Sequence, residues 1–188
     1  RYAEAISTWA ANKDLSDIDI FVLPPFTSLH AANVAFAGTP VKTGGQNMHW
    51  KDTGAWTGEI SAPMLVEAGC RYVELAHSER LQYFGETYAG VRLKVDKALA
   101  AGLTPIICLG ETQEEKAAGR ADAILQEQLL TSLAGHLPVQ ALVMASTCGS
   151  FSSVGRNIPN QVGVYSCFQP HRKAKVPRQV SRPLLTSN

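Results

Sequence analysis

Short strand-like runs alternate with helical stretches through the first 145 residues of this 188-residue chain. That alternation constrains the fold more than any other feature. Four runs are apolar: Ile18 to Pro25 (IDIFVLPP), Tyr72 to Ala76 (YVELA), Thr104 to Gly110 (TPIICLG) and Ala141 to Ala145 (ALVMA). A fifth, Val41 to Asn47 (VKTGGQN), reads as a strand that ends at glycines. Short continuous apolar runs suit strands covered on both faces, as in parallel sheets. Helical spacing is read over Tyr2 to Ala11, Ser28 to Phe36, Ile60 to Ala68, Tyr88 to Ala101 and Ala121 to Ala134. In the fourth stretch Val91, Val95, Ala98 and Leu99 share a face, and Gly102 ends it; in the fifth, Ile124, Leu125, Gln128 and Leu129 are in register before Gly135. The order is that of an α/β fold with a parallel sheet, and it leaves an open doubly wound sheet and a closed barrel both standing.

From residue 146 onward the pattern disappears. The segment is dense in Ser, Pro, Gly and Asn, and five residues between Arg172 and Arg182 are basic. Such a composition buries too little apolar area to offset its ordering entropy, so 146–188 is expected to be an irregular or aberrant tail behind a domain of residues 1–145. The formal net charge of +1 gives no bulk reason to expect nucleic acid or a membrane surface as partner. No apolar run approaches the ~20 residues of a membrane span, and the opening RYAEAISTWAANK is not a signal peptide. The four cysteines, Cys70, Cys108, Cys148 and Cys167, form no CxxC pair and no zinc-ligand spacing. Reduced thiols, a cytoplasmic setting and no metal are the expectation. The first residue is not Met, so the start is expected to be missing or processed.

Polar clusters follow three of the strand-like runs: Gly44 to Glu59 (GGQNMHWKDTGAWTGE), Val73 to Thr87 (VELAHSERLQYFGET) and Pro105 to Thr112 (PIICLGET). In parallel α/β folds the C-terminal ends of strands build active sites. His77 stands where a strand gives way to a helix start, facing the positive end of the helix macrodipole. A neutral imidazole there can donate a hydrogen bond to a carbonyl and move a proton between adjacent oxygens. Glu79 and Arg80 bring a carboxylate and a guanidinium to the same mouth, as a base or as an ion pair. Glu86 is expected to cap and charge the next helix, Glu111 to be a structural mouth carboxylate, and Cys108 to be a core thiol.

These segments resemble the triosephosphate isomerase family over about residues 1 to 145. ELAHSERLQYFGET matches the family's fourth-strand signature, GGQNMHWKDTGAWTGEIS its third-strand segment and GLTPIICLGET its fifth. The resemblance implies a TIM (β/α)8 barrel, incomplete here at about strands 2 to 6. It implies interconversion of dihydroxyacetone phosphate and glyceraldehyde 3-phosphate through an enediol, with no cofactor, on a small phosphorylated sugar, in a homodimer. His77 matches the family's electrophilic histidine, Ser78 its neighbour and Glu79 a second carboxylate near the site; a neutral catalytic histidine in this enzyme is itself an established worked case. Gln46, Asn47 and Thr57 match the dimer loop, which implies partly exposed Met48, Trp50 and Trp56 in a lone subunit.

The departures are as specific. The family's substrate-binding Asn and Lys precede the first residue here. The segment that holds its catalytic-base Glu reads ASTCGSFSSVGRNIP, without an acidic residue, and its phosphate-gripping loops have no counterpart. Leu81 stands where a second Arg is usual, and Ala76 where Gly is usual. The expectation is a truncated, inactive member whose last part is out of frame. Reading the gene in the other two frames tests the frame change, and the absence of strand-seven and strand-eight motifs there sinks it. Two further readings stand beside it. QNMHW and GAWTGE resemble relatives that act on four-carbon erythrulose phosphates, and a non-catalytic fragment able only to dimerise fits the intact loop. A nucleic-acid arm in the basic tail ranks last.

Overall fold

The computed structural model describes residues 2–11, 13–15 and 18–136, together with the strand segments 142–146 and 162–166. The first helix, α1 (Tyr2–Ala11), and the two-residue strand β1 (Phe21–Val22) come first. A 3-10 turn (Phe26–Ser28) leads into α2 (Leu29–Phe36), then β2 (Lys42–Gly45) and α3 (Ala62–Glu67). The middle of the chain holds β3 (Tyr72–Leu75), α4 (Ser78–Tyr83), α5 (Tyr88–Ala100) and β4 (Thr104–Leu109). Next come α6 (Gln113–Ala117), α7 (Ala121–Ser132), β5 (Leu142–Ser146) and β6 (Val162–Ser166). All neighbouring strands pair in parallel, and the sheet order follows the chain from β1 to β6.

The helices begin where capping chemistry allows. Ser61 accepts the Met64 N–H at 3.4 Å with Pro63 inside the first turn of α3, and Thr87 accepts the Gly90 N–H at 3.1 Å to open α5. A reciprocal capping box between Thr112 and Glu115 starts α6. Short α4 and α6 were not anticipated as separate elements, because five or six residues are too few to display a period.

Strand alternation sorts the core into two faces. Val73, Leu75, Ile107 and Leu109 pack outward against Val91, Val95, Ala98, Leu125 and Leu129 of the helices. Ile106 and Cys108 lie on the inward face with Phe21, Leu23 and Tyr72, and the Phe21 and Tyr72 rings stack at 4.7 Å. The glycines that end β2 are required by packing: a Cβ on Gly44 would stand 2.5 Å from the Tyr72 carbonyl oxygen.

The structure departs from expectation at three places. The IDIFVLPP run yields only two residues of ladder at β1. Within the segment read as irregular from 146 onward, β6 is a regular strand paired with β5. The rest of that segment, including Arg172 to Arg182, Cys148 and Cys167, lies outside the described residues; the expected division between 145 and 146 falls within β5 (Leu142–Ser146). Met48, expected to be partly exposed, is fully buried at 0% in the helix-side core.

Candidate functional site

β3 ends at Leu75, and the chain turns at Ala76 with φ +60°, the sole non-glycine in the left-handed region among the described residues. The turn delivers His77 to the N-cap of α4, where its Nδ1 accepts the Glu79 backbone N–H at 3.3 Å. An Nδ1 that accepts carries no proton, so the neutral ring holds its proton on Nε2. A nitrogen in that state donates a hydrogen bond. The Glu79 carboxylate approaches Nδ1 at 3.7 Å and is itself 71% exposed. Ser78 is exposed at the first position of α4.

His77 opens onto a pocket of about 270 Å³ that Gln46, Asn47, Glu74, Glu79 and Arg80 line, with Phe26 and Phe84 as its apolar wall. The structure therefore brings the His77 motif together with two of the three dimer-loop residues. The Gln46 side chain donates to the Leu23 carbonyl at 2.9 Å and so ties the loop to the end of β1. Asn47 accepts Lys94 Nζ at 2.8 Å. Lys94 also bonds Glu86, and Arg80 Nε approaches the same carboxylate oxygen at 3.5 Å while its guanidinium lies 5.0 Å over the Phe84 ring. Glu86 is structural, as expected, but it does not cap α5: Thr87 does, and Glu86 is the buried anion beneath Arg80 and Lys94.

Thr57 stands apart from that pocket. It is exposed and lines an adjoining cleft of about 540 Å³ with Trp50, Trp56, Arg80 and Phe84. His49 lies between the Trp50 and Trp56 rings, at 4.3 and 4.5 Å. Trp50 is half-buried and Trp56 is 45% exposed, in line with the expectation for both.

Two site residues escaped sequence reasoning. Glu74 is a carboxylate within an apolar strand, on the inward face beside Cys108, whose thiol hydrogen-bonds Oε1 at 3.6 Å. Burial pushes its carboxyl above the usual range, opposed by the nearby His77 and the Cys108 hydrogen bond. Lys94 is 5% exposed on the packed face of α5. A charge amid an apolar run was the available signal in both cases. Cys108 is a buried inward-facing thiol, and Tyr88 donates to its carbonyl at 3.3 Å. Burial, then the neighbouring Cys108, drives the Tyr88 phenol well above its ordinary range. Glu111 is buried at 4% exposure. Among the described residues no cluster of His, Cys, Asp or Glu is spaced to hold a metal, and no helix is long and apolar enough to cross a membrane.

Comparison with known proteins gives a consistent result. The family model described as triosephosphate isomerase matches residues 1–146. The L-erythrulose-1-phosphate isomerase of Brucella abortus biovar 1 (strain 9-941) is 49% identical over 132 residues, covering 70% of this chain and 51% of that protein. The triosephosphate isomerase of Symbiobacterium thermophilum is 50% identical over 145 residues, covering 76% of this chain and 57% of that protein. Among solved structures, triosephosphate isomerase from Bartonella henselae aligns with a TM-score of 0.68 at 36% identity, covering 78% of this chain and 59% of that one. The chain thus spans about half the length of the curated relatives it matches.

Proposed function

The chain belongs to the triosephosphate isomerase family and has the architecture of an incomplete TIM barrel, and from that premise we propose that it carries the carbonyl-polarising half of an aldose–ketose phosphate isomerase site. The single observation that supports this reading is the His77 cap. Because Nδ1 is occupied by the Glu79 N–H, the ring presents Nε2–H to the pocket. A carbonyl oxygen placed there accepts that hydrogen bond, which stabilises the charge developing as an enediol forms. The ring can then pass a proton between the two neighbouring oxygens of the enediol. In the whole enzyme the reaction is dihydroxyacetone phosphate to glyceraldehyde 3-phosphate. It moves protons only, so it needs no cofactor. We assign Ser78 and Glu79 the supporting places that the resemblance implies; the Glu79 carboxylate lies 3.7 Å from the ring.

The isomerisation also needs a base at carbon and a grip on the phosphate. No acidic residue follows Glu127 in these 188 residues. We therefore expect no complete isomerisation by this polypeptide alone, since a missing catalytic base generally costs several orders of magnitude. The test is turnover of glyceraldehyde 3-phosphate by chain produced in a host lacking its own isomerase. Turnover that disappears in His77→Ser overturns the account of inactivity, and turnover unchanged by that substitution marks contamination.

Two further readings have support of their own. An L-erythrulose-1-phosphate isomerase at 49% identity, beside a triosephosphate isomerase at 50%, supports a four-carbon phosphate as a second substrate reading for the whole enzyme. Assay of a full-length parent with both phosphates separates them. The loop bearing Gln46, Asn47 and Thr57, with its cleft of about 540 Å³, supports homodimer formation or pairing with a full-length relative in the cytoplasm. Co-purification with such a relative is the check, and separate elution rules that pairing out.

A further inference from the structure

Glu74 opens the ELAHSER segment, three residues before His77, and it stands in the same pocket as His77. It lies between the buried, outward-facing Val73 and Leu75, so alternation turns it to the inward face with Tyr72. The Cys108 thiol, one strand over on β4, engages its Oε1 at 3.6 Å and orients the carboxyl at the pocket's floor. Two carboxyls therefore flank one imidazole in opposite surroundings. Glu79 is 71% exposed at the rim, whereas burial pushes the Glu74 carboxyl above the usual range, opposed by His77 and the Cys108 hydrogen bond. Carboxyls in contrasting environments at one site are the usual arrangement where one of them transfers a proton.

We propose that Glu74 is a proton-transfer residue of this pocket, its carboxylate taking a proton from the carbon beside a carbonyl that His77 holds. The substrate class is a small α-hydroxy ketone. In the step the carbon–hydrogen bond breaks and an O–H bond forms on Glu74. The released electron pair makes the carbon–carbon double bond, and the carbonyl oxygen becomes an enediol oxygen that takes its proton from His77 Nε2. After the Glu74 carboxyl exchanges its hydrogen with solvent, the reverse step returns a solvent hydrogen to the same carbon and the enediol proton to His77. No oxidant, reductant or other co-reactant enters. The inference rests on the reading of His77 above. It concerns exchange at one carbon, which requires neither delivery of the proton to the neighbouring carbon nor a grip on phosphate, so it is compatible with the absence of complete isomerisation.

The experiment uses the full 188-residue chain, made in a host lacking triosephosphate isomerase, with hydroxyacetone as the probe in deuterated buffer. Proton NMR follows loss of the hydrogen signal at the hydroxymethyl carbon. Positioned general bases contribute about 10²- to 10⁴-fold, so exchange at least ~10-fold faster than with acetate at equal carboxylate concentration is expected. Glu74→Gln is expected to reduce exchange to the acetate level, Glu74→Asp to retain part of it, and the wild-type rate to rise with pH as the carboxyl ionises. Wild-type exchange no faster than acetate overturns the proposal whether or not any variant folds. Exchange as fast in Glu74→Gln as in wild type also overturns it. If that variant is silent in effect while His77→Ser slows exchange, Glu74 falls and the His77 reading stands; if neither substitution matters, both fall.

Discussion

His77 Nδ1 accepts the backbone N–H of Glu79 at 3.3 Å, so the ring proposed to meet substrate also caps the helix it introduces. One side chain therefore joins local stability to chemistry. Losing a side-chain cap typically costs about 1 kcal/mol. His77→Ala is expected to lose that amount, whereas His77→Ser, which restores a capping oxygen, is expected to stay within ~0.5 kcal/mol of wild type while still lacking the ring. Urea denaturation of the three proteins checks this. Equal losses in Ala and Ser variants would show that the cap contributes nothing.

Ala76 holds φ +60°, a conformation that costs a non-glycine residue roughly 1–2 kcal/mol. Glycine removes that strain but gains unfolded-state entropy worth about 0.5–1 kcal/mol. It also gives up a methyl that is buried at 1% exposure, worth about 0.8 kcal/mol. The effects nearly cancel, so Ala76→Gly is expected to change stability by less than ~1 kcal/mol. Ala76→Val adds a β-branched side chain to the same strained backbone inside a packed core and is expected to cost more than ~2 kcal/mol. Thermal melts of both variants separate the cases, and a strongly stabilised glycine variant would mean that strain dominates packing.

Lys94, Glu86, Arg80 and Asn47 form one buried polar cluster beneath the pocket rim. The Glu86 side chain is only 4% exposed, so removing its lysine leaves an anion with Arg80 Nε at 3.5 Å as its remaining cation. Breaking a buried pair from one side costs about 3–5 kcal/mol, a large share of the ~5–15 kcal/mol of a whole domain. Lys94→Met is expected to shift the urea midpoint by about that much. The double variant Lys94→Met/Glu86→Leu is expected to recover at least half, because no lone charge remains buried. A double variant as unstable as the single one would place the loss in packing instead.

The sequence displayed some of this directly and concealed the rest for physical reasons. Tyr2–Ala11 and the α5 stretch were legible because ten or more residues of helical apolar spacing rise above chance. The α6 helix had its signal in Thr112 and Glu115, a capping box that periodicity alone passes over. His77 was legible as a strand-to-helix residue with chemistry, but its tautomer is set by a backbone N–H that only the folded turn supplies. Lys94 shows as a charge on the Val91, Val95, Ala98 face, whereas its partner Asn47 lies 47 residues earlier and is brought near by the sheet. Glu74 is visible as a charge in an apolar run; that it shares a pocket with His77 depends on the strand's inward register.

The same carboxyl gives a pH dependence with a definite sign. The folded chain holds the Glu74 proton more tightly than the unfolded chain, where the ordinary value is 4.5. Its contribution to stability is fully present below that value and is lost as pH rises through the raised folded value. Glu74→Gln cannot titrate. It is therefore expected to gain stability relative to wild type as pH rises from about 4 to about 8. Urea midpoints measured across that range decide the matter. Parallel curves for the two proteins would show that Glu74 titrates alike in both states.

The edge of the sheet sets a further expectation for the chain produced alone. β1 has two residues and pairs with β2 among the described strands, at one end of a sheet that makes up only part of a barrel. Beside it Phe21, Leu23 and Tyr72 cover the inward face only in part. A parallel sheet that is not closed into a full barrel, next to an apolar face, is a template for association with other chains. The 188-residue polypeptide is expected to self-associate at tens of micromolar or more, roughly the regime in which exposed edges aggregate. Its thermal transition is expected to be broad and concentration-dependent. Light scattering coupled to size exclusion, with calorimetry at several concentrations, measures both. A monodisperse monomer with one sharp, concentration-independent transition would show that this edge is closed in solution.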